Sequence, residues 1–490
     1  MRAGHPPTYA VSSRVFLRLL GAAYGFAFWS LGVQILGLVG RRGILPAADL
    51  LEAAHRQFGA GALWQCPTLC WLSTSDLFLR TLCLAGAGLA VLVVLDVAPA
   101  PLLAALLVLY LSLTTVCQEF LWFQWDSLLL EAGFLGILLA PLRLRPSRQP
   151  EPPDALARWL LWWLLFRLMC SSGVVKLASG DPAWRTLTAL TYHYETQPLP
   201  TWIGWWAHQL PSWFQRFSCA VMFAVELIAP WCIICPAPVR RAGCATLITL
   251  QLLIAMTGNY AFFNLLTIAL CLLLLDDAVW PQAMRPAAPD GPSTVPPGPR
   301  RWPRAVILPI GAVLLALSSV PLRLLARTRL NRRDAVAVLY GALEPLRLVN
   351  TYGLFAVMTT TRHEIVLEGS RDGRAWQAYE FRYKPGEVRR APGFVAPHQP
   401  RLDWQMWFAA LGPYQENPWF LRLCARLLEG SPDVRALLAS NPFPEDPPRY
   451  LRAVFYTYHF TDPTTRRASG AWWRRDPDGL YCPVLARRAE

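Results

Sequence analysis

Long apolar runs set the limits on what this chain can fold into. Residues 15–39, 77–97, 102–120, a stretch ending at 139, 157–178, 213–234, 242–257, 260–275 and 306–325 each read as one hydrophobic segment. A helix needs about 20 predominantly apolar residues to cross a bilayer. Lipid offers no partner for a bare backbone N–H or C=O, so a spanning segment of this kind must be helical. The predicted architecture is therefore mainly α: a polytopic transmembrane helix bundle of about 8–9 spans. Residues 1–13 lack the basic region, short apolar core and small-residue site of a cleavable signal, which predicts that the first span serves as an uncleaved anchor.

The charge pattern supplies an orientation. Lysine and arginine number 46 against 32 acidic residues, a formal net charge of +14. The arginines fall in short clusters between the apolar runs, as the positive-inside rule requires, so nucleic acid is not an expected partner. With the N-terminus in the cytoplasm, the basic loops 143–158, 240–241 and 285–304 lie there too. Loop 180–211 and the C-terminal region then face outward. Arg323, Arg327, Arg329, Arg332 and Arg333 conflict with this, since they follow the last span on the outer side. The predicted divisions are a bundle over 1–277, a Pro-rich linker over 278–303, a final span and connector over 304–335, and a C-terminal domain over 336–490.

Only two of the basic residues are lysines, Lys176 and Lys384. A desolvated lysine can give up its proton, whereas arginine effectively cannot. Lys176 falls at the end of an apolar span, where an ionisable group costs about 2.5–3.5 kcal/mol and marks function by default. Snorkelling at the helix end is the plainer account. The expected partners of Lys176 are Asp126 and Glu131, with Glu119 and Asp181 as further candidates. Such a pair can fix helix register or serve as a proton relay or general base. Lys176 and Asp126 are thus the candidate catalytic residues. A polar pocket is predicted around them from Glu131, Asp181, Trp184, Asn259, Tyr260 and Asn264.

Two further clusters suggest a binding surface. Tyr192, His193, Tyr194 and Glu195 put donors, acceptors and a titratable ring within one turn, or form part of an interfacial aromatic belt with nearby tryptophans. His398, Arg401, Asp403 and Trp404 could present a second surface, or simply start a helix with Asp403 at its positive end. Asn259 and Asn264 flank a polar break between spans, where their amides could satisfy freed backbone groups. Most of the 12 cysteines sit in apolar helices as small hydrophobes. Cys66 with Cys70, and Cys424 with Cys482, are candidate disulfides if they face an oxidising compartment. Cys232 and Cys235 read as packing residues. No set of ligands has zinc or calcium spacing, so neither metal nor cofactor is expected.

From 336 the long apolar runs give way to short alternating ones. Residues 365–383 read as a β-hairpin with a Gly-containing turn. Residues 402–411 and 418–429 read as amphipathic helices, and 451–460 as a late strand. This is a small extracytoplasmic α+β domain tethered to the bundle.

Four stretches carry a resemblance: SSGVVKLASGDPAWRTLTALTYHYETQPLP (171–200), QWDSLLLEAGF (124–134), GNYAFFNLLTIAL (258–270) and the block from LVNTYGLFAVMTT to FVAPHQPRLDWQMWFAAL (348–411). They resemble the lipase maturation factor family across most of the chain. The resemblance implies a multi-pass membrane protein of the endoplasmic reticulum that helps secreted lipases fold and assemble, a chaperone-like role with lipase-like clients and membrane lipids as partners. The Arg-rich, Lys-poor composition is similar to that of a high-GC bacterium, for which the inner membrane is the implied compartment. A weaker similarity extends to the vitamin K-dependent γ-glutamyl carboxylase superfamily. Val175, Lys176, Leu177, Asp181 and Trp184 match its pattern around a lysine base, whereas Asp126 stands where that pattern has a functional histidine. The leading expectation is a membrane maturation factor for exported proteins. The alternative is a membrane enzyme using Lys176 as a base on a lipid, quinone or peptide. A transporter ranks third, since no inverted halves are evident.

Overall fold

The computed structural model describes residues 7–286, 301–326 and 333–487. Among the described residues, seven helices are long and apolar enough to cross a membrane. In chain order, with two shorter helices included, we label them α1 (Ala10–Gly32), α2 (Asp76–Val94), α3 (Pro99–Val116), α4 (Gln124–Leu139), α5 (Ala155–Ser179), α6 (Ser212–Ile228), α7 (Ala237–Thr257), α8 (Phe263–Leu272) and α9 (Arg304–Leu325). The short members, α4 and α8, are the fourth and eighth expected spans. The first expected span breaks at Gln34, with a separate short helix Ile35–Val39. Its amide earns the break: the Gln34 side chain donates to Gln399 O at 2.8 Å and accepts from Arg401 N at 2.8 Å.

The polar ends of the helices sort into two groups. Asp277 accepts from the first amides of α1, Ala10 N and Val11 N, at 3.1 and 2.9 Å. Arg14 pairs with Asp96 at 3.1 Å and Arg143 pairs with the same carboxylate at 2.8 Å. Arg240 donates to the Tyr9 hydroxyl at 2.6 Å, and Arg241 holds Asp276 at 2.8 Å. The basic loops thus gather around the start of α1. At the other end, loop 180–211 and the 258–262 break, bridged to each other at Pro200 and Gly258, meet the C-terminal domain through Arg362 and Asn259. Arg323 is paired with Asp334. Arg327, Arg329 and Arg332, like most of the expected linker (287–300), lie outside the described residues.

The C-terminal domain is built on a four-stranded sheet of order β2-β1-β4-β5: β1 (Arg362–Ser370), β2 (Gln377–Ala378), β4 (Tyr450–Phe460) and β5 (Trp473–Ala486). A second small pairing joins β3 (Glu380–Phe381), which follows β2 in the chain, to residues 438–440. The expected hairpin is therefore only a stub. β1 pairs with β2 at two positions, while its long antiparallel partner is β4, from Arg362 opposite Tyr458 to Ser370 opposite Tyr450. The expected helices appear as Arg401–Ala409 and Pro418–Leu428. The second is strongly amphipathic and buries Trp419, Phe420, Leu423 and Leu427, as its three-to-four spacing demands. All twelve cysteines are free thiols, so neither candidate disulfide is present. Cys424 and Cys482 are buried as small hydrophobes instead.

Candidate functional site

Lys176 lies in the last turn of α5 and is buried. Its partner is none of the four carboxylates expected. Glu226, in the last turn of α6, brings both oxygens to 2.7 Å from Nζ. The approach depends on a small residue. A Cβ on Gly173 would meet Leu227 Cδ2 at 2.7 Å and Glu226 Cβ at 3.1 Å, so only glycine lets α6 come close enough. Small residues at helix crossings do this throughout membrane bundles. The Trp184 ring lies 5.4 Å from Nζ, and its indole N–H donates to Phe355 O at 2.9 Å.

The pair lines a cavity of about 350 Å³ between α5, α6, α7 and α8. Its walls are mainly apolar, including Leu168, Met222, Leu250 and Phe263, and its polar residues include His193, Tyr194, Gln251 and Tyr260. Three hydrogen bonds fix the proton on His193. Gln197 Nε2 donates to Thr257 O at 2.8 Å, which turns Gln197 Oε1 toward the Tyr260 hydroxyl, the donor at 2.9 Å. That hydroxyl has one proton, so at the 3.2 Å contact with His193 Nε2 the ring nitrogen donates. His193 Nδ1 then carries the lone pair. Burial, with the Lys176 charge adding to it, pushes His193 down to about 4, so the ring stays neutral at physiological pH.

The other predicted pocket residues are elsewhere. Glu131 accepts from Arg167, from the Tyr352 hydroxyl at 2.8 Å and from Asn350 N at 2.9 Å. Asp181 caps a helical turn through Ala183 N at 2.7 Å and accepts from Met358 N. Asn259 makes four backbone bonds: Nδ2 to Leu199 O and Gly393 O at 3.1 and 2.9 Å, and Oδ1 from Val395 N and Ala396 N at 2.7 and 3.0 Å. Asn264 donates to Gln251 Oε1 at 2.9 Å. Trp184 and Tyr260 are the two of the six that line the cavity.

Asp126 belongs to a different network. Arg401 reaches it from the C-terminal domain with two parallel bonds, Nη1 to Oδ2 at 2.6 Å and Nη2 to Oδ1 at 2.8 Å. The Tyr110 hydroxyl adds a third at 2.5 Å. This carboxylate is fully committed and does not line the Lys176 cavity.

The second cluster expected to face a client faces the bundle. Arg401, Asp403 and Trp404 are 0%, 3% and 2% exposed. Asp403 accepts from Tyr383 N and Lys384 N at 2.8 and 2.9 Å, Trp404 stacks edge-on to Trp125, and His398 contacts Ser30 Oγ of α1 at 3.0 Å. Glu195 is likewise turned inward, accepting from Phe460 N at 2.7 Å. Arg362 of β1 grips the same loop, donating to Glu195 O at 2.8 Å and Pro198 O at 2.9 Å. In the first cluster, Tyr192 is exposed whereas His193 and Tyr194 line the cavity. The physical reason is that the polar end of the bundle and the C-terminal domain bury their polar groups against one another, so each takes a partner across the junction or, for Asp403, within its own domain.

Comparison with known proteins fits this two-part body. Residues 11–282 match the lipase maturation factor transmembrane domain, and residues 348–483 the lipase maturation factor C-terminal domain. Lipase maturation factor 2 of Gallus gallus is 40% identical over 595 aligned residues, covering 99% of this chain and 82% of that protein. The Homo sapiens lipase maturation factor 2 is 39% identical, covering 94% and 81%. Lipase maturation factor 1 of Bos taurus is 36% identical, covering 100% and 91%. No solved structure matches. The chain belongs to the lipase maturation factor family.

Proposed function

We propose that this chain is a membrane-embedded maturation factor that assists exported proteins to fold and assemble, with lipase-like enzymes among its clients. The observation that carries the reading is the likeness of both parts of the chain to relatives bearing that name, at 36–40% identity over nearly the full length. Seven helices among the described residues are long and apolar enough to cross a membrane; taking the shorter α4 and α8 as further crossings gives nine, and an odd number would put the N-terminus and the C-terminal domain on opposite sides. The cluster of basic loops around the start of α1 supports a cytoplasmic N-terminus. The C-terminal domain then works in the endoplasmic-reticulum lumen of a eukaryote or the periplasm of a bacterium. Clients meet its outer face and the exposed rim of loop 180–211, where Trp202, Trp206 and Phe394 are 44%, 45% and 51% exposed.

The base reading of Lys176 is weaker. Nζ is held at 2.7 Å from both oxygens of Glu226, so a substrate proton would reach it only by disturbing a buried ion pair. Deleting the gene and measuring secreted hydrolases tests the proposal. Loss of specific activity in a subset, restored by the chain, is the expected result; normal specific activity for every hydrolase would overturn it.

A further inference from the structure

The Lys176 cavity has the shape of a ligand site, and its charge balance narrows what it can hold. At about 350 Å³ it falls at the small end of the range for small-molecule sites, about 300–1,000 Å³. Several lining residues are also exposed on the outside of the bundle: Leu253, Leu210 and Phe214 are 55%, 43% and 37% exposed. The mouth therefore lies between α6 and α7, on an apolar flank, and entry is from the hydrocarbon side. Apolar walls of this size accept one acyl chain.

The inner end selects the head. Among its described lining residues, those with a formal charge are Lys176 and Glu226, and they neutralise one another. A phosphate or carboxylate head would meet no spare cation and would sit against the Glu226 oxygens, at a high cost in a low-dielectric site. Donors and acceptors are nonetheless available. Lys176 uses two N–H groups on Glu226 and keeps a third. Among the described residues, Gln251 Nε2 has the Met169 sulfur, at 3.7 Å, as its one acceptor. His193 Nδ1 offers a lone pair. A head that donates and accepts without charge, such as a glycerol diol with an ester carbonyl, matches this set.

We infer that the cavity binds an uncharged single-chain amphiphile of the monoacylglycerol class, with its chain toward the α6–α7 mouth and its hydroxyl groups at Lys176, Glu226 and His193. The binding needs no client, so it stands or falls separately from the maturation role.

The test uses the full chain in mild detergent and a monoacylglycerol with a diazirine in its acyl chain. Photolabelling of peptides from α6 and α7 is expected, competed at least about tenfold better by unlabelled monoacylglycerol than by the fatty acid or lysophosphatidic acid of equal length. Ser218→Trp, which fills the cavity, should abolish labelling. Glu226→Gln provides a signature that misfolding cannot mimic: a fatty-acid carboxylate can replace the lost counter-charge, so competition should shift toward the fatty acid. Equal competition by charged and uncharged lipids, labelling that survives Ser218→Trp in a folded protein, or an unchanged preference in Glu226→Gln would each overturn the inference.

Discussion

Arg401 and Asp126, 275 residues apart in sequence, form a bidentate ion pair with both side chains fully buried. One comes from the C-terminal domain and the other from α4, so the pair fastens the domain to the bundle. Arginine suits the task because its planar fork matches a carboxylate with two parallel bonds. Glu131 of α4, which accepts from the Tyr352 hydroxyl and Asn350 N, and Arg362 of β1, which donates to the backbone of Glu195 and Pro198, add two more buried fastenings. The soluble part is therefore a cap locked onto the membrane part.

Breaking that fastening on one side should be costly. Asp126→Leu or Arg401→Met leaves a buried charge without its partner, and the expected loss is about 3–5 kcal/mol. The double variant Asp126→Leu with Arg401→Met removes both charges and should recover most of it. Thermal unfolding in detergent, read as a double-mutant cycle, measures the difference. Additive losses would contradict the pairing.

Gly173 should tolerate no side chain. Gly173→Ala places a methyl against Leu227 and Glu226, and overpacking of this kind costs about 1–3 kcal/mol. Gly173→Leu should separate α5 from α6 altogether. A lowered unfolding temperature for Ala and a larger drop for Leu are the expected readings. Similarly, Gly353 adopts φ +143°, and a Cβ there would meet Val175 Cγ1 at 2.5 Å, so Gly353→Ala should destabilise the contact between domain and α5.

Acid should loosen the assembly. Burial holds both His193 and His398 down at about 4, below the value of about 6.5 for an unfolded histidine. Between these limits the unfolded chain binds more protons than the folded one, so stability is full above pH 6.5 and falls as the pH drops toward 4. With partial exposure allowed for, each ring accounts for about 1 kcal/mol at pH 5. His193→Gln or His398→Gln should flatten the profile of unfolding temperature against pH over that window. An unchanged slope in both variants would contradict the assignment.

The spans were legible because periodicity and length act locally: a greasy run of 20 residues has few alternatives. The two lysines also stood out as exceptions, and both are buried against a glutamate, Lys176 with Glu226 and Lys384 with Glu364. The Lys176 partner Glu226 lies 50 residues further on, outside the aromatic and polar stretches around Lys176 and Asp126. It is the one acidic residue of the 213–234 run, and matching charges between spans would have singled it out. Arg401 and Asp126 were each conspicuous, but nothing local in the sequence links residues so far apart. The long edge strand Trp473–Ala486 was invisible for a different reason. Pro477, Gly479, Pro483 and several charges erase its alternation, as edge strands often do to resist further pairing, and only β4 defines its register.

The most direct measurement is the specific activity of a secreted lipase, as activity per mass of enzyme, in cells lacking their own factor and complemented with this chain. Lys176→Arg keeps a cation opposite Glu226 but removes any titratable amine. If the residue acts as a paired structural donor in a maturation factor, Lys176→Arg should retain on the order of half the wild-type value or more. A folded Lys176→Arg protein, accumulating normally yet no better than no protein at all, would show that Lys176 works as a base and would contradict that role.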